Sequence, residues 1–380
     1  MADQEIITEL PNTFQSDEVV VNLPDLDVVT ALLAELDVRP DGEPEADESL
    51  GLALLKLTQV APDGGHTAVT DLDSVLTEIR RRSAARYEQW EPLVGKNRYM
   101  AGVVGFPQPR SHGIDDLAVV LDPPPLPPVP RAGHGVRVGV LDTNVDGHPD
   151  LVGRFVADRD SRYRPLPEPV PRRAGHATFV SSVILSLAQG ATLQVRGVLD
   201  PTGTATAWDT ARAMMTFADS GVDILNVSLG CRTVDGQPPL LMARAAALLS
   251  QRMLIVAAAG NHGMSVESTA PTWPAALPDV IAVGAREADG MISDFSPKLP
   301  WVTCTAPGRK VVGAYLTALV AMFEGDPQKF CGYARWSGTS FAAAKVSGAI
   351  AARTVPGRVT PRAAFAALLA DPHGVVRKYV

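Results

Sequence analysis

The sequence predicts an α/β protein: a parallel sheet flanked by helices on both faces, preceded by a small α+β domain. Three observations carry that reading. Past residue 131, short apolar runs alternate with stretches of helical periodicity, as strand–helix–strand crossovers in a parallel sheet require. A proline cluster, DPPPLPPVPR at 122–131, marks a boundary, because prolines remove amide donors and favour an extended chain. Charge also breaks. Residues 1–50 hold 14 acidic residues and one basic residue, Arg39, whereas the 380-residue chain as a whole sets 34 Lys and Arg against 42 Asp and Glu. The expected units are therefore an acidic α+β domain over 1–121, a linker over 122–131 and an α/β domain over 132–380.

In the first unit, EVVVNL (18–23) reads as a strand and DLDVVTALLAEL (25–36) as a helix capped by Asp25. ESLGLALLKL (48–57) and DLDSVLTEIRRR (71–82) read as further helices, NRYMAGVVGF and DDLAVVL as strands. After the linker, VRVGVLD (136–142), LQVRGVL (193–199), DILNVSL (223–229), MLIVAAAG (253–260) and DVIAVGA (279–285) are buried-strand candidates. Between them, HATFVSSVILSLA, AWDTARAMMTFA and PPLLMARAAALL suit helices.

Composition narrows the function. With 46% hydrophobic and 20% charged residues the chain is neither disordered nor fibrous. A net charge of −8 disfavours nucleic acid as a partner. Cys231, Cys304 and Cys331 are widely spaced, without the CxxC pairs of a zinc site, and read as buried and inert. The first residues lack the basic and apolar regions of a secretory signal, and the apolar stretch at 311–323 is shorter than the ~20 residues a membrane span needs. The expectation is a cytoplasmic protein without a membrane partner.

Sheets of this kind gather their sites at the carboxyl ends of strands. Asp142 ends VRVGVLD, Asn226 and Ser228 end DILNVS, and Asn261 follows AAAG. His176 and Ser340 open helices in GHATFV and SGTSFAAA. Taken singly, each has an ordinary explanation as a turn, a cap or a core hydrogen-bonding group. Together they supply an acid, an imidazole, a hydroxyl and a carboxamide.

The segments VGVLDTNVDGHPDL, GHATFVSSVI, ILNVSLG, VAAAGN, WPAALPDVIAVGA, SDFSP with VTCTAPG, and SGTSFAAAKVSG resemble, in order, the signature segments of subtilisin-like (subtilase) serine peptidases. The resemblance covers roughly residues 134–355. It implies a serine endopeptidase acting on peptide or protein substrates. Ser340 would attack the scissile carbonyl, His176 would carry its proton, and Asp142 would orient His176. Ser340 opens a helix, whose N-terminal amide favours a developing oxyanion, and Asn261 matches the family's second donor. Ser228, Leu229 and Gly230 match the segment that pairs with extended substrate, and Ala258, Ala259 and Gly260 match a wall of the pocket for the residue before the cut. This chemistry requires no cofactor. Structural calcium is common in the family, but no acidic loop here establishes it, and no metal ligands are assigned.

The chain departs from the family pattern at Asn144, Ala177, Ala344 and Lys345. Asn144 replaces a glycine and is expected to tolerate a left-handed backbone. His148 and Asp150 are expected in a turn near the site, Asp146 competes with Asp142 for the carboxylate role, and His262 is expected at the surface. Arg80, Arg81 and Arg82 read as a solvated helix end, with pairing to the acidic first 50 residues as the alternative. Residues 158–175 read as a surface loop that could shape substrate access. The first 121 residues match no motif. The competing function is a latent or regulatory protein whose N-terminal region blocks the site or binds a partner. An α/β-hydrolase esterase fits less well, because Ser340 sits in GTSFA and not in GxSxG.

Overall fold

The computed structural model describes residues 13–61, 63–102, 116–123, 131–265 and 269–379. The N-terminal part comprises β1 (Phe14–Asn22), α1 (Leu26–Ala34), β2 (Leu52–Val60), α2 (Leu72–Arg86) and β3 (Val94–Gly102). β1 lies antiparallel between β2 and β3. Val19 and Val21 on one face of β1 join Val29, Leu33, Leu55, Leu76 and Ile79 in a closed core, while Val20 on the other face packs toward Trp208 and Leu241 of the second part. Both faces of this sheet are covered, so β1 carries three consecutive buried valines in place of an alternating pattern.

Two sequence expectations are corrected here. Residues 48–57 form no helix: Gly51 turns at φ +64° and β2 follows from Leu52. Leu52 and Leu54 face one core and Ala53, Leu55 and Leu57 the other, so a strand buried on both sides imitates a helical apolar run. Asp25 stands at the start of α1 but caps nothing with its side chain; Oδ2 instead accepts the Leu93 amide at 2.9 Å. Asp71 does cap α2, accepting from Ser74 N at 3.0 Å. Arg82 and Arg86 both reach Glu35, so this helix end pairs with the acidic segment.

The second part is built on β4 (Arg137–Asp142), α3 (His176–Leu187), β5 (Thr192–Gly197), β6 (Thr204–Thr206), α4 (Ala207–Met215), β7 (Ile224–Val227), β8 (Leu229–Gly230), α5 (Leu240–Leu249), β9 (Leu254–Ala258), β10 (Val280–Arg286), β11 (Cys304–Pro307), β12 (Tyr333–Trp336), α6 (Thr339–Arg353) and α7 (Pro361–Leu369). Its main sheet runs β11-β10-β9-β7-β4-β5, all parallel, with Phe155–Ala157 parallel beside β5 and Arg377–Lys378 antiparallel beside β11. α3 and α6 cover one face around Phe179, Val183, Phe341 and Ile350. α4 and α5 cover the other around Trp208, Met214, Met242 and Leu249. The expected layering of helices on both faces of a parallel sheet is present.

The two parts meet along strands. β3 pairs antiparallel with β6, Ala101 opposite Thr204, and with β8, Ala101 opposite Gly230. Farther along, Ala118 and Val119 pair with Arg335 and Ala334 of β12. Residues 103–106 of the expected NRYMAGVVGF strand, and most of the proline cluster, lie outside the described residues.

Candidate active site

β4 delivers Asp142 to the carboxyl edge of the sheet after a run of buried apolar residues, and Asp142 itself is fully buried. Its Oδ1 accepts the Thr143 amide at 2.7 Å. His176, the first residue of α3, donates from Nδ1 to Oδ1 and Oδ2 of Asp142 at 2.7 and 2.9 Å. Trp336 stands edge-on to the imidazole and Phe341 tilts against it, each at a ring-centroid distance of 5.6 Å. The imidazole is thus fixed in orientation and shielded, while its Nε2 is buried without a hydrogen-bond partner among the described residues. An apolar wall around an available ring nitrogen suits a proton acceptor that must not be drained by solvent.

Ser340 is the second residue of α6 and is buried. Its neighbour Phe341 packs against the His176 ring, so α6 and the start of α3 meet beside the imidazole. A polar chain ties this helix to the sheet: Ser347 Oγ donates to Asn226 Oδ1 at 2.9 Å, Asn226 Nδ2 donates to Ser228 Oγ at 3.0 Å, and Ser228 Oγ donates to the Ser340 carbonyl at 3.4 Å. Each member is buried, so the chain satisfies groups that would otherwise be costly.

Asn261 follows β9. Its Oδ1 accepts both the amide and the hydroxyl of Thr339, at 2.9 and 3.0 Å, and Thr339 Oγ1 accepts the Gly260 amide at 3.1 Å. Anchored through its oxygen, the carboxamide turns its nitrogen toward Gly338, where a Cβ would lie 3.4 Å from Nδ2. Gly260 sits at φ +107°, and a Cβ there would press on the His262 ring and Thr272 Oγ1 at 2.6 to 2.7 Å. Only glycine meets both conditions.

Ala258, Ala259 and Gly260 are buried together at the end of β9. Ser228 precedes β8, and the edge of β8 formed by Leu229 and Gly230 pairs with the chain's own β3. Gly102 stands opposite Leu229, and its amide donates to the Gly203 carbonyl at 2.8 Å. Met100, just upstream, is fully buried in the cluster that contains Leu199, Trp208 and Leu229.

His148 caps the Pro149–Leu151 turn, as expected of a turn residue, accepting the Asp150 amide at 3.2 Å. Asp146 binds the Gly147 amide through its own carboxylate, and it is Asp142 that holds His176. His262 is not at the surface: it is 6% exposed, its Nε2 meets the Ala270 carbonyl at 2.9 Å, and burial pushes its pKa down to about 4. Cys331 is exposed, whereas burial pushes the Cys231 and Cys304 thiols up to about 12. Asn144 has no left-handed backbone; its side chain instead occupies the space a Cβ on Gly197 would need. Among the described residues no group of three His, Cys, Asp or Glu side chains could hold a metal, and no helix is long and apolar enough to cross a membrane.

Thr143 and Thr339 escaped sequence reasoning. Thr143 Oγ1 accepts the Ala177 amide at 3.0 Å and so fixes the start of α3 to the end of β4. Their only signal in the sequence is adjacency to Asp142 and Ser340.

Comparison with known proteins agrees with this architecture. The subtilase family model matches residues 133–367. A thermophilic serine proteinase of Bacillus sp. (strain AK1) is 32% identical over 245 residues, 60% of this chain and 55% of that protein. An intracellular serine protease of Paenibacillus polymyxa is 32% identical over 232 residues, 58% of this chain and 66% of that protein. The chain thus spans between half and two thirds of the length of these relatives. In fold it is similar to the crystal structure of fervidolysin from Fervidobacterium pennivorans, with a TM-score of 0.65 and 17% identity over 96% of this chain and 60% of that one. With the family model covering more than half of its length, the chain belongs to the subtilase family.

Proposed function

We propose that the protein is a serine endopeptidase that cleaves peptides or proteins through an acyl-enzyme on Ser340. The observation that carries the reading is the pair of short contacts from His176 Nδ1 to Asp142, which leaves Nε2 buried without a hydrogen-bond partner among the described residues, beside the helix that Ser340 opens. Asp142 fixes the tautomer and stabilises the imidazolium. His176 takes the Ser340 proton as Oγ bonds to the scissile carbonyl carbon, then returns it to the leaving amine as the C–N bond breaks. The oxyanion meets the amide at the start of α6 and the Asn261 carboxamide. A water then repeats the sequence and frees Ser340. The steps call on no cofactor. The decisive experiment is hydrolysis of an unstructured protein and of chromogenic peptides, with Ser340→Ala as control. Equal rates for the two proteins would reject the reading.

A further observation bears on regulation. β3 lies between β6 and β8, on the edge a substrate would use. Side chains reinforce the contact: Trp208 N donates to Asn97 Oδ1 at 3.0 Å, Arg244 donates to the Leu50 carbonyl at 3.0 Å, and Arg212 pairs with Glu45 and Asp47. This supports an N-terminal part that blocks the cleft of a working peptidase, in preference to one that captures a separate partner. Activity should then rise with time as a fragment with a new N-terminus beyond residue 102 accumulates, and constant activity without such a fragment would refute the block. A cytoplasmic location belongs to the same proposal and is tested by cell fractionation.

A further inference from the structure

A second cavity, of about 490 Å³, has none of Asp142, His176, Asn261 or Ser340 in its lining. Its size falls within the range of small-molecule sites, about 300–1,000 Å³. The two helices that carry His176 and Ser340 both contribute to it. Ser182, Val183 and Ser186 belong to the far half of α3, roughly 9–15 Å along the axis from His176, and Lys345 stands on α6 roughly 8 Å beyond Ser340. The Val311–Ala314 strand and Tyr333 of β12 form the opposite side.

Lys345 is one of the departures from the family pattern, and it is half-buried with no ion pair among the described residues. The other charges at the cavity are placed as follows. Arg309 pairs with Glu287 at 2.8 Å and with Asp294, so its charge is balanced. Asp150 accepts the Tyr333 hydroxyl at 3.1 Å. Lys310 is exposed at the rim, and Arg286, from the end of β10, adds repulsion to Lys345. Two lysines against one aspartate leave the lining with an excess positive charge. Burial and Arg286 hold Lys345 down to about 8, a cost that an incoming anion would offset.

The serines do not compete for that role. Ser182 Oγ donates to the Phe179 carbonyl and accepts the Ala314 amide, each at 2.8 Å, and Ser186 Oγ donates to the Val183 carbonyl at 2.7 Å. The ammonium of Lys345 is thus the donor available on the helix walls, while Val183, Val311, Val312 and Ala314 supply apolar surface. One such donor suits a monoanion better than a phosphate, whose several oxygens call for several donors.

We propose that this cavity binds a small carboxylate with an apolar tail, its carboxylate on Lys345 and its tail along the Val311–Ala314 strand. The site uses none of the groups assigned to peptide cleavage, so its test is independent of that reading.

The test is calorimetric titration of the full-length Ser340→Ala chain near neutral pH, the alanine removing any self-cleavage. Octanoate should bind about tenfold or more tightly than octanol, because the alcohol lacks the charge-assisted hydrogen bond to Lys345. Lys345→Met should abolish that preference and Lys345→Arg should keep it. Val312→Glu, which sets another acid against the carboxylate, should weaken octanoate about tenfold. Melting curves check that each variant is folded. Equal affinity for octanoate and octanol, or wild-type octanoate affinity in Lys345→Met or Val312→Glu, would overturn the proposal. So would tighter binding of inorganic phosphate than of octanoate, or no octanoate binding at about millimolar concentration.

Discussion

Replacing Thr339 with valine keeps the shape of the side chain and deletes one oxygen. That oxygen donates to Asn261 Oδ1 at 3.0 Å and accepts the Gly260 amide at 3.1 Å, and Thr339 is fully buried. Two hydrogen bonds are lost and the Gly260 amide is left without a partner away from water. A lost bond is worth about 1 kcal/mol and an orphaned buried donor about 1–3 kcal/mol, so Thr339→Val should destabilise by about 2–3 kcal/mol. For a chain of 380 residues that lowers the melting temperature by about 2.5–4 °C. The Asn261 carboxamide keeps its bond from the Thr339 amide at 2.9 Å, so its aim loosens without being lost. The ceiling is about 10²–10³ in kcat for complete loss of such a donor, a magnitude measured on a subtilisin, itself a member of this family. Thr339→Val should stay below that ceiling, at about tenfold, with KM little changed, and Asn261→Ala should mark the ceiling itself. Calorimetry and initial rates on a chromogenic peptide measure both effects. A melting temperature within about 1 °C of wild type, with kcat within about twofold, would refute the argument that this hydroxyl aims the carboxamide.

Buried groups elsewhere carry three more expectations. His262 is held down to about 4 by burial, with Arg232 adding to the effect, against an ordinary value of 6.5. The unfolded chain takes up this proton below about pH 6.5 and the folded chain only below about pH 4, so stability should fall through that window by about 3 kcal/mol and level off beneath it. His262→Gln should flatten that slope in urea titrations between pH 7 and 4.5, and parallel slopes would count against it. Lys345 is held down to about 8 by burial and by Arg286, so its charge is a cost at neutral pH that disappears as pH rises through about 10.5. Discounted for partial exposure, Lys345→Met should stabilise the protein by about 1 kcal/mol at pH 7, and a lower melting temperature would contradict this. A methyl on Gly175 would fall on the ring of the fully buried Tyr315, one residue before His176, so Gly175→Ala should cost about 1–3 kcal/mol and reduce turnover. Wild-type melting and turnover in that variant would show that the ring has room to move.

The parallel-sheet half is legible in the sequence because its strands are short apolar runs punctuated by polar residues, and those polar residues are the ones that chemistry would need. Asp142, His176 and Asn261 can each be read at the end of an element from the order of residues alone. What escapes the sequence is reach across the fold. Thr143 and Thr339 act through single hydroxyls on partners 34 and 78 residues away, and a threonine carries no periodic signal of such a contact. β2 passes for a helix because burial on both faces erases the alternation that distinguishes a strand. His262 passes for a surface residue because a histidine beside a glycine gives no hint that Ala270 will close over it. The docking of β3 between β6 and β8 is invisible for a similar reason: strand addition uses main-chain groups, which every sequence possesses.

If that docked strand fills the cleft as proposed, the occupant is attached to the same molecule. While the connection is intact, the strand competes at an effective concentration of about millimolar or more, whatever the dilution of the protein, and a free peptide must overcome that local excess. Once the connection is severed, rebinding becomes a two-body event and the blockade begins to depend on how much fragment remains nearby. A single break in the backbone would therefore convert a concentration-independent restraint into one that washing can remove.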